Sequence, residues 1–298
     1  VPQFSQNYLN WLFFSLLCAS FLDTAIPARA QALLPYSPEL DSEQLGLDAL
    51  QLTQDAIQLS RFQQYDLALS RAKLATQLAP DRYETWYVLG SLYLQQKEVD
   101  GAIKSLQKAQ SLSPKEADIL FSLGSAYFQK GEYTTAVSHI ELGLKLKPDT
   151  PEALFDLGNT YLKMGQYDKA IAQYEKTVTI DKSYWFATNN IGLIKYEQGD
   201  TLGAIAKWQE ALTVDKQQAE PMLALAVALY HEGKIDEALK DAEAALAIDV
   251  SYADLEFLKE NLWGDRLLKD TKVLLDRPEI QALIPQFKQQ QEAAAQEQ

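Results

Sequence analysis

Apolar and polar residues alternate along most of the chain with the three-and-four spacing of amphipathic helices, and the pattern returns every 34 residues. Starting at Ala49 it divides, without insertion or deletion, into six units: 49–82, 83–116, 117–150, 151–184, 185–218 and 219–252. The eighth place of each unit is small, as Ala56, Gly90, Gly124, Gly158, Gly192 and Ala226. The twentieth is always alanine, from Ala68, Ala102 and Ala136 to Ala170, Ala204 and Ala238. Large apolar residues hold the seventh place from the second unit onward (Leu89, Leu123, Leu157, Ile191, Leu225) and the thirtieth throughout (Leu78, Leu112, Leu146, Ile180, Val214, Ile248). Two apolar stripes per unit predict two helices, and the small places predict where those helices cross closely.

Punctuation agrees with this register. Gly131, Gly165, Gly199 and Gly233 stand where the first helix of a unit must end, and they supply the left-handed backbone of a C-terminal cap. Asp66, Asp100, Asp168 and Asp236 fall at the start of the second helix, where a carboxylate suits the free N–H groups. Pro80, Pro114 and Pro148 close the first three units.

Outside the units, residues 31–48 read as an acidic leader with little regular structure before Leu45. Residues 253–290 read as capping helices: Leu255, Leu258, Leu262 and Trp263 would cover the apolar edge of the sixth unit, and Leu267, Leu268, Leu274 and Leu275 form a second stripe. Residues 291–298, with their Gln and Ala bias, read as a disordered tail.

The third unit carries Leu120, Leu123, Gly124, Tyr127, Gly131, Tyr133, Ala136 and Pro148 at signature places, and on these residues the chain resembles the tetratricopeptide repeat (TPR) family. The match weakens at the ends: Asp55 replaces a leucine, Lys195 replaces the tyrosine of the eleventh place, and the last three units lack the closing proline. The resemblance implies an all-α, right-handed superhelical solenoid of six 34-residue helix-turn-helix repeats plus C-terminal capping helices. It also implies a concave face lined by the second, fifth, sixth, ninth, twelfth and thirteenth places of each unit. In this chain the peptide-groove residues so named are Tyr87, Phe121, Phe128, Phe155, Asn159, Phe186, Asn189, Asn190, Tyr196 and Tyr230, with Glu84, Asp118, Glu152 and Glu220 along one rim. The family's carboxylate clamp needs two asparagines and three cations. Asn159 and Asn190 fit, but the cationic places hold Phe155, Glu220 and Ala224, which argues against chaperone-tail binding.

Composition narrows the chemistry. With 27 Lys and Arg against 41 Asp and Glu, the net charge is −14, a surface that repels nucleic acid and anionic lipid. The chain's two histidines, His139 and His231, and its one cysteine, Cys18, leave no Cys/His metal site and few partners for nucleophilic catalysis. Neither a phosphate-binding glycine loop nor a hydrolase elbow is present, so the sequence predicts neither an enzyme nor a cofactor.

The apolar run at residues 11–22 is too short for a good bilayer span, and Ala28-Arg29-Ala30 follows it, so residues 1–30 read as a signal peptide cleaved before Gln31. The segment before the run lacks Lys and Arg, and the alternative is an uncleaved anchor, the chain's one route to membrane contact. The expectation is an exported protein of the periplasm or a thylakoid-type lumen. It would be a non-catalytic scaffold, an assembly or adaptor factor that holds a protein or peptide client, apolar and able to carry Lys or Arg, in its concave groove. Self-association as a structural module is the alternative.

Overall fold

The computed structural model describes residues 41–296. The expected signal peptide or anchor, the leader before Asp41 and the last two residues lie outside them. Ser42 onward forms one compact unit of helices joined by short turns. In chain order the helix pairs are α1 (Ser42–Arg61) and α2 (Tyr65–Leu78), α3 (Tyr83–Gln95) and α4 (Val99–Leu112), and α5 (Ala117–Gln129) and α6 (Tyr133–Leu146). They continue with α7 (Pro151–Lys163) and α8 (Tyr167–Ile180), α9 (Trp185–Glu197) and α10 (Thr201–Val214), and α11 (Ala219–His231) and α12 (Ile235–Ile248). A 3₁₀ turn (Val250–Ala253), α13 (Leu255–Glu260), α14 (Asp265–Leu275) and α15 (Pro278–Gln296) complete the described chain.

The pairs stack in sequence order, each second helix packing on the first helix of the next pair. The six alanines of the twentieth place are all fully buried, which is what a close crossing requires. The eighth place is matched to the twenty-fourth of the same unit. A Cβ on Gly90, Gly124, Gly158 or Gly192 would collide with Leu106, Ile140, Tyr174 or Trp208 respectively. At the two ends Ala56 shares a cluster with Ala72, and Ala226 with Ala242. Each crossing is thus filled either by glycine under a large side chain or by two alanines.

The turn between the helices of a pair needs one left-handed residue. Gly131, Gly165, Gly199 and Gly233 take it with φ between 68° and 88°, while Gln63 and Lys97 take the same conformation in the first two units. A side chain there costs roughly 1–2 kcal/mol of backbone strain.

Three expectations change. Helix α1 begins at Ser42, inside the segment expected to be irregular, and adds two turns to the first repeat. The residues of the thirtieth place are not fully buried: Leu146, Ile180, Val214 and Ile248 are 43–45% exposed on the outer helices. The expected disordered tail is helical to Gln296, and Gln291 holds it down: its Oε1 accepts from Val250 N at 3.1 Å and its Nε2 donates to the Leu246 and Ala247 carbonyls.

Two substitutions test this account. Gly192→Ala forces a methyl into the buried Trp208 ring and is expected to cost about 1–3 kcal/mol, read as a lowered midpoint in thermal or urea unfolding. Lys97→Gly removes left-handed strain and is expected to raise stability by up to about 1 kcal/mol in the same measurement, since part of the gain is offset by a more flexible unfolded chain.

Candidate peptide groove

The first helices of the pairs, α1, α3, α5, α7, α9 and α11, line the inner face, and the ten groove residues fall into two groups along it. Six lie between α3 and the start of α9. Tyr87, Phe121, Phe128, Phe155 and Asn159 are half-buried and Phe186 is 47% exposed. The Phe155 ring packs 5.2 Å from Tyr184 and 5.6 Å from Tyr174, and Phe186 stacks on Trp185 at 3.8 Å. Phe121 lies over Gly143 of α6, so part of its ring is used in packing. Below these rings Ser125, Phe128, Gln129, Ile140, Asp156, Asn159 and Thr160 enclose a cavity of about 310 Å³. Asp156 accepts from Ser125 Oγ at 3.1 Å, and burial pushes its carboxyl up to about 6.

The other four residues are covered by the chain itself. Helix α14 packs on α9 and α11, across the inner face, while α15 packs on α12 and covers the end of the stack. Leu255, Leu258 and Trp263 join the apolar cluster of the sixth unit, as expected of an edge cap, whereas α14 crosses the inner face. Tyr196 has no exposed surface: its hydroxyl donates to Asp270 Oδ2 at 2.7 Å, and the Arg266 guanidinium lies 4.5 Å from its ring. Tyr230 is half-buried, within hydrogen-bond reach of Arg277. Arg266 also donates to the Tyr196 carbonyl at 2.7 Å and to Thr201 Oγ1 at 3.2 Å. The Glu197 carboxylate accepts from the backbone N–H groups of Arg266 and Leu267, capping α14 from another helix.

Asn189 and Asn190 are buried in a chain of side-chain hydrogen bonds. Tyr174 Oη donates to Asn159 Oδ1 at 2.7 Å, Asn190 Nδ2 donates to the same oxygen at 3.0 Å, and Asn189 Nδ2 donates to Asn190 Oδ1 at 3.2 Å. Asn189 also lies within hydrogen-bond reach of Glu220, which accepts from Trp263 Nε1 at 3.1 Å, and Asn189 Oδ1 is left without a donor. Glu220 is thus not on a solvated rim as expected: Trp263 closes over it, and burial pushes its carboxyl up to about 7. Asn189, Asn190 and Tyr196 differ from the accessible groove places the sequence predicted, because the amides and the C-terminal segment satisfy one another.

Asp156 and Ser125 stand at the sixth and ninth places of their units, so the register itself pointed to them; Tyr184 and Trp185 lie outside the inner-face places and carried no such signal. His139 stacks on Tyr127 at 5.3 Å, and His231 lies 3.8 Å from Asp270 on another helix. Among the described residues no group of His, Cys, Asp and Glu is arranged to hold a metal ion, and no helix is long and apolar enough to cross a membrane.

Comparison with known proteins fits this geometry. Residues 40–183 match the family described as cytochrome c-type biogenesis protein H TPR domain, and residues 189–253 match the tetratricopeptide repeat. The chain belongs to the tetratricopeptide repeat proteins, a family of protein-interaction scaffolds. Among solved structures it is similar to MamA protein, with 28% identity and a TM-score of 0.51 over 58% of this chain and 94% of that one. PilW, described as a widely conserved type IV pilus biogenesis factor, aligns at 22% identity and a TM-score of 0.62 over 72% and 98%. PilF of Pseudomonas aeruginosa aligns at 15% and 0.60 over 74% and 98%, and the latter two likenesses concern the fold alone. No curated protein matches the chain.

Glu220 supplies a test of the covered half. Its folded-state pKa lies above its ordinary value of 4.5, so the native state keeps a proton that the unfolded chain releases. The stability this provides is complete below about pH 4.5 and is lost as pH rises through 7, a change of about 3 kcal/mol. Glu220→Gln, which keeps an acceptor for Trp263, is expected to remove that loss. Coincident unfolding curves of the two proteins from pH 5 to 8 would put Glu220 in contact with water.

Proposed function

We propose that this protein is a non-catalytic assembly adaptor of the cell envelope, or of a thylakoid-type lumen, that holds a client polypeptide on the open part of its inner face, over α3, α5 and α7. One observation carries the reading. The inner face over α9 and α11 already holds a helical segment, the chain's own α14, through an aromatic ring, a capping carboxylate and an arginine. The same face over α3 to α7 bears half-buried rings and a cavity with nothing from the described chain upon it. Half-buried aromatics beside a cavity are the anchors on which interfaces depend.

The family match supports an assembly role, since its description is of a biogenesis protein. The run at 11–22 followed by Ala28-Arg29-Ala30 supports export. The net charge of −14 favours a client with Lys or Arg over nucleic acid. Self-association through the C-terminal helices has less to work with, because Leu258, Trp263, Leu267 and Leu274 are buried within the chain.

A photo-crosslinking residue at Phe128 is expected to trap a discrete client in an envelope fraction, whereas the same residue at Leu142, exposed on an outer helix, traps none. Equal labelling from both positions would remove the inner face as the client site.

A further inference from the structure

Several carboxylates of this chain have a cation or a donor of their own. Asp118 pairs with Lys147 at 2.9 Å, Asp100 with Lys130 at 3.4 Å, Asp200 with Lys195 at 2.8 Å, and Asp270 receives the Tyr196 hydroxyl. Asp156 is different. Its hydrogen-bond partner is a neutral hydroxyl, Ser125, and among the described residues no Lys, Arg or His lies within ion-pair distance of it. Burial and the charge of Glu152 both work against its ionised form. Such a carboxylate, set in the wall of a cavity wide enough for a side chain, is complementary to a cation that arrives from outside.

The covered half of the same face shows how this inner surface receives a cation. Arg266 rests on Tyr196, the twelfth place of the fifth unit. Phe128 is the twelfth place of the third unit and lines the Asp156 cavity. An aromatic ring at this place therefore recurs two repeats earlier, open and with a carboxylate beside it in place of an intramolecular guanidinium. Cation–π attraction and a charge-assisted hydrogen bond would act together there.

We propose that the cavity between α5 and α7 is a subsite for one Arg or Lys side chain of the client, held by the Asp156 carboxylate beside the Phe128 ring. It rests on the groove function above and adds the chemistry of one contact. The apolar flanks of the client lie on Phe155 and Phe186, and the cation sets the register.

The test selects a displayed library of random 12-residue peptides on the full chain and, in parallel, on Asp156→Asn, Phe128→Ala and the control Glu175→Gln, an exposed carboxylate on the outer helix α8. Unchanged helicity and melting by circular dichroism confirm that each variant is folded. Peptides selected on the wild type are expected to share one Arg or Lys flanked by apolar residues. By fluorescence anisotropy they should bind Asp156→Asn about tenfold more weakly, the loss of a charge-assisted hydrogen bond, and Glu175→Gln equally well. Replacing the shared cation by Gln should cost the wild type that same factor and cost Asp156→Asn little. Peptides without a shared cation, or equal binding to wild type and Asp156→Asn, overturn the subsite and leave the groove standing. Failure of the wild type to select any peptide overturns both.

Discussion

The fold depends on how close two helices can come within each repeat. A glycine at the eighth place lets a bulky side chain from the twenty-fourth reach across the crossing, so Leu106, Ile140, Tyr174 and Trp208 are buried at the contact and not beside it. Fully buried alanines at the twentieth place hold the same crossing from the other side. Because the contact is local and repeated, the pairs stack at a regular rise, and the first helices are left side by side on one face. The inner face follows from the crossings: residues of neighbouring first helices, such as Ser125 and Asp156, can line one cavity only when those helices keep a constant spacing.

The uneven size of the twenty-fourth place has a second effect. In the fourth unit it is Tyr174, whose ring fills the crossing while its hydroxyl reaches Asn159 and Asn190 on the inner face. One residue thus links the apolar interior to the polar chain that runs through Asn189 and Glu220 to Trp263. Buried amides need partners, and here they find them in one another and in the C-terminal segment. That requirement draws the segment onto α9 and α11, and it separates the self-occupied part of the face from the part that stays open.

Much of this was legible in the sequence because a repeat states its rule several times. Glycine at 131, 165, 199 and 233 marked turns that the structure places at the same residues, and the alanines of the twentieth place marked crossings that are fully closed. The register also named Phe128 and Asn159, which line one cavity between α5 and α7. What could not be read had a different physical origin. The Leu and Trp stripe after residue 253 announces burial but not the surface that buries it, so α14 turning onto the inner face was invisible. Asn189 and Asn190 look like groove amides until their hydrogen-bond partners, which are distant in sequence, are in place. Gln63 and Lys97 adopt a glycine conformation that no local signal requires, because the neighbouring repeats impose the turn.

The return of α14 across two repeats also gives the stack a direction. In an array whose members touch only their neighbours, each unit loosens nearly on its own, and a brace spanning α9 and α11 makes the fifth and sixth units open together or not at all. The earlier units have no such brace among the described residues. The half of the molecule whose inner face stays open is then the half free to flex, while the braced half serves as the fixed end from which that flexing is measured.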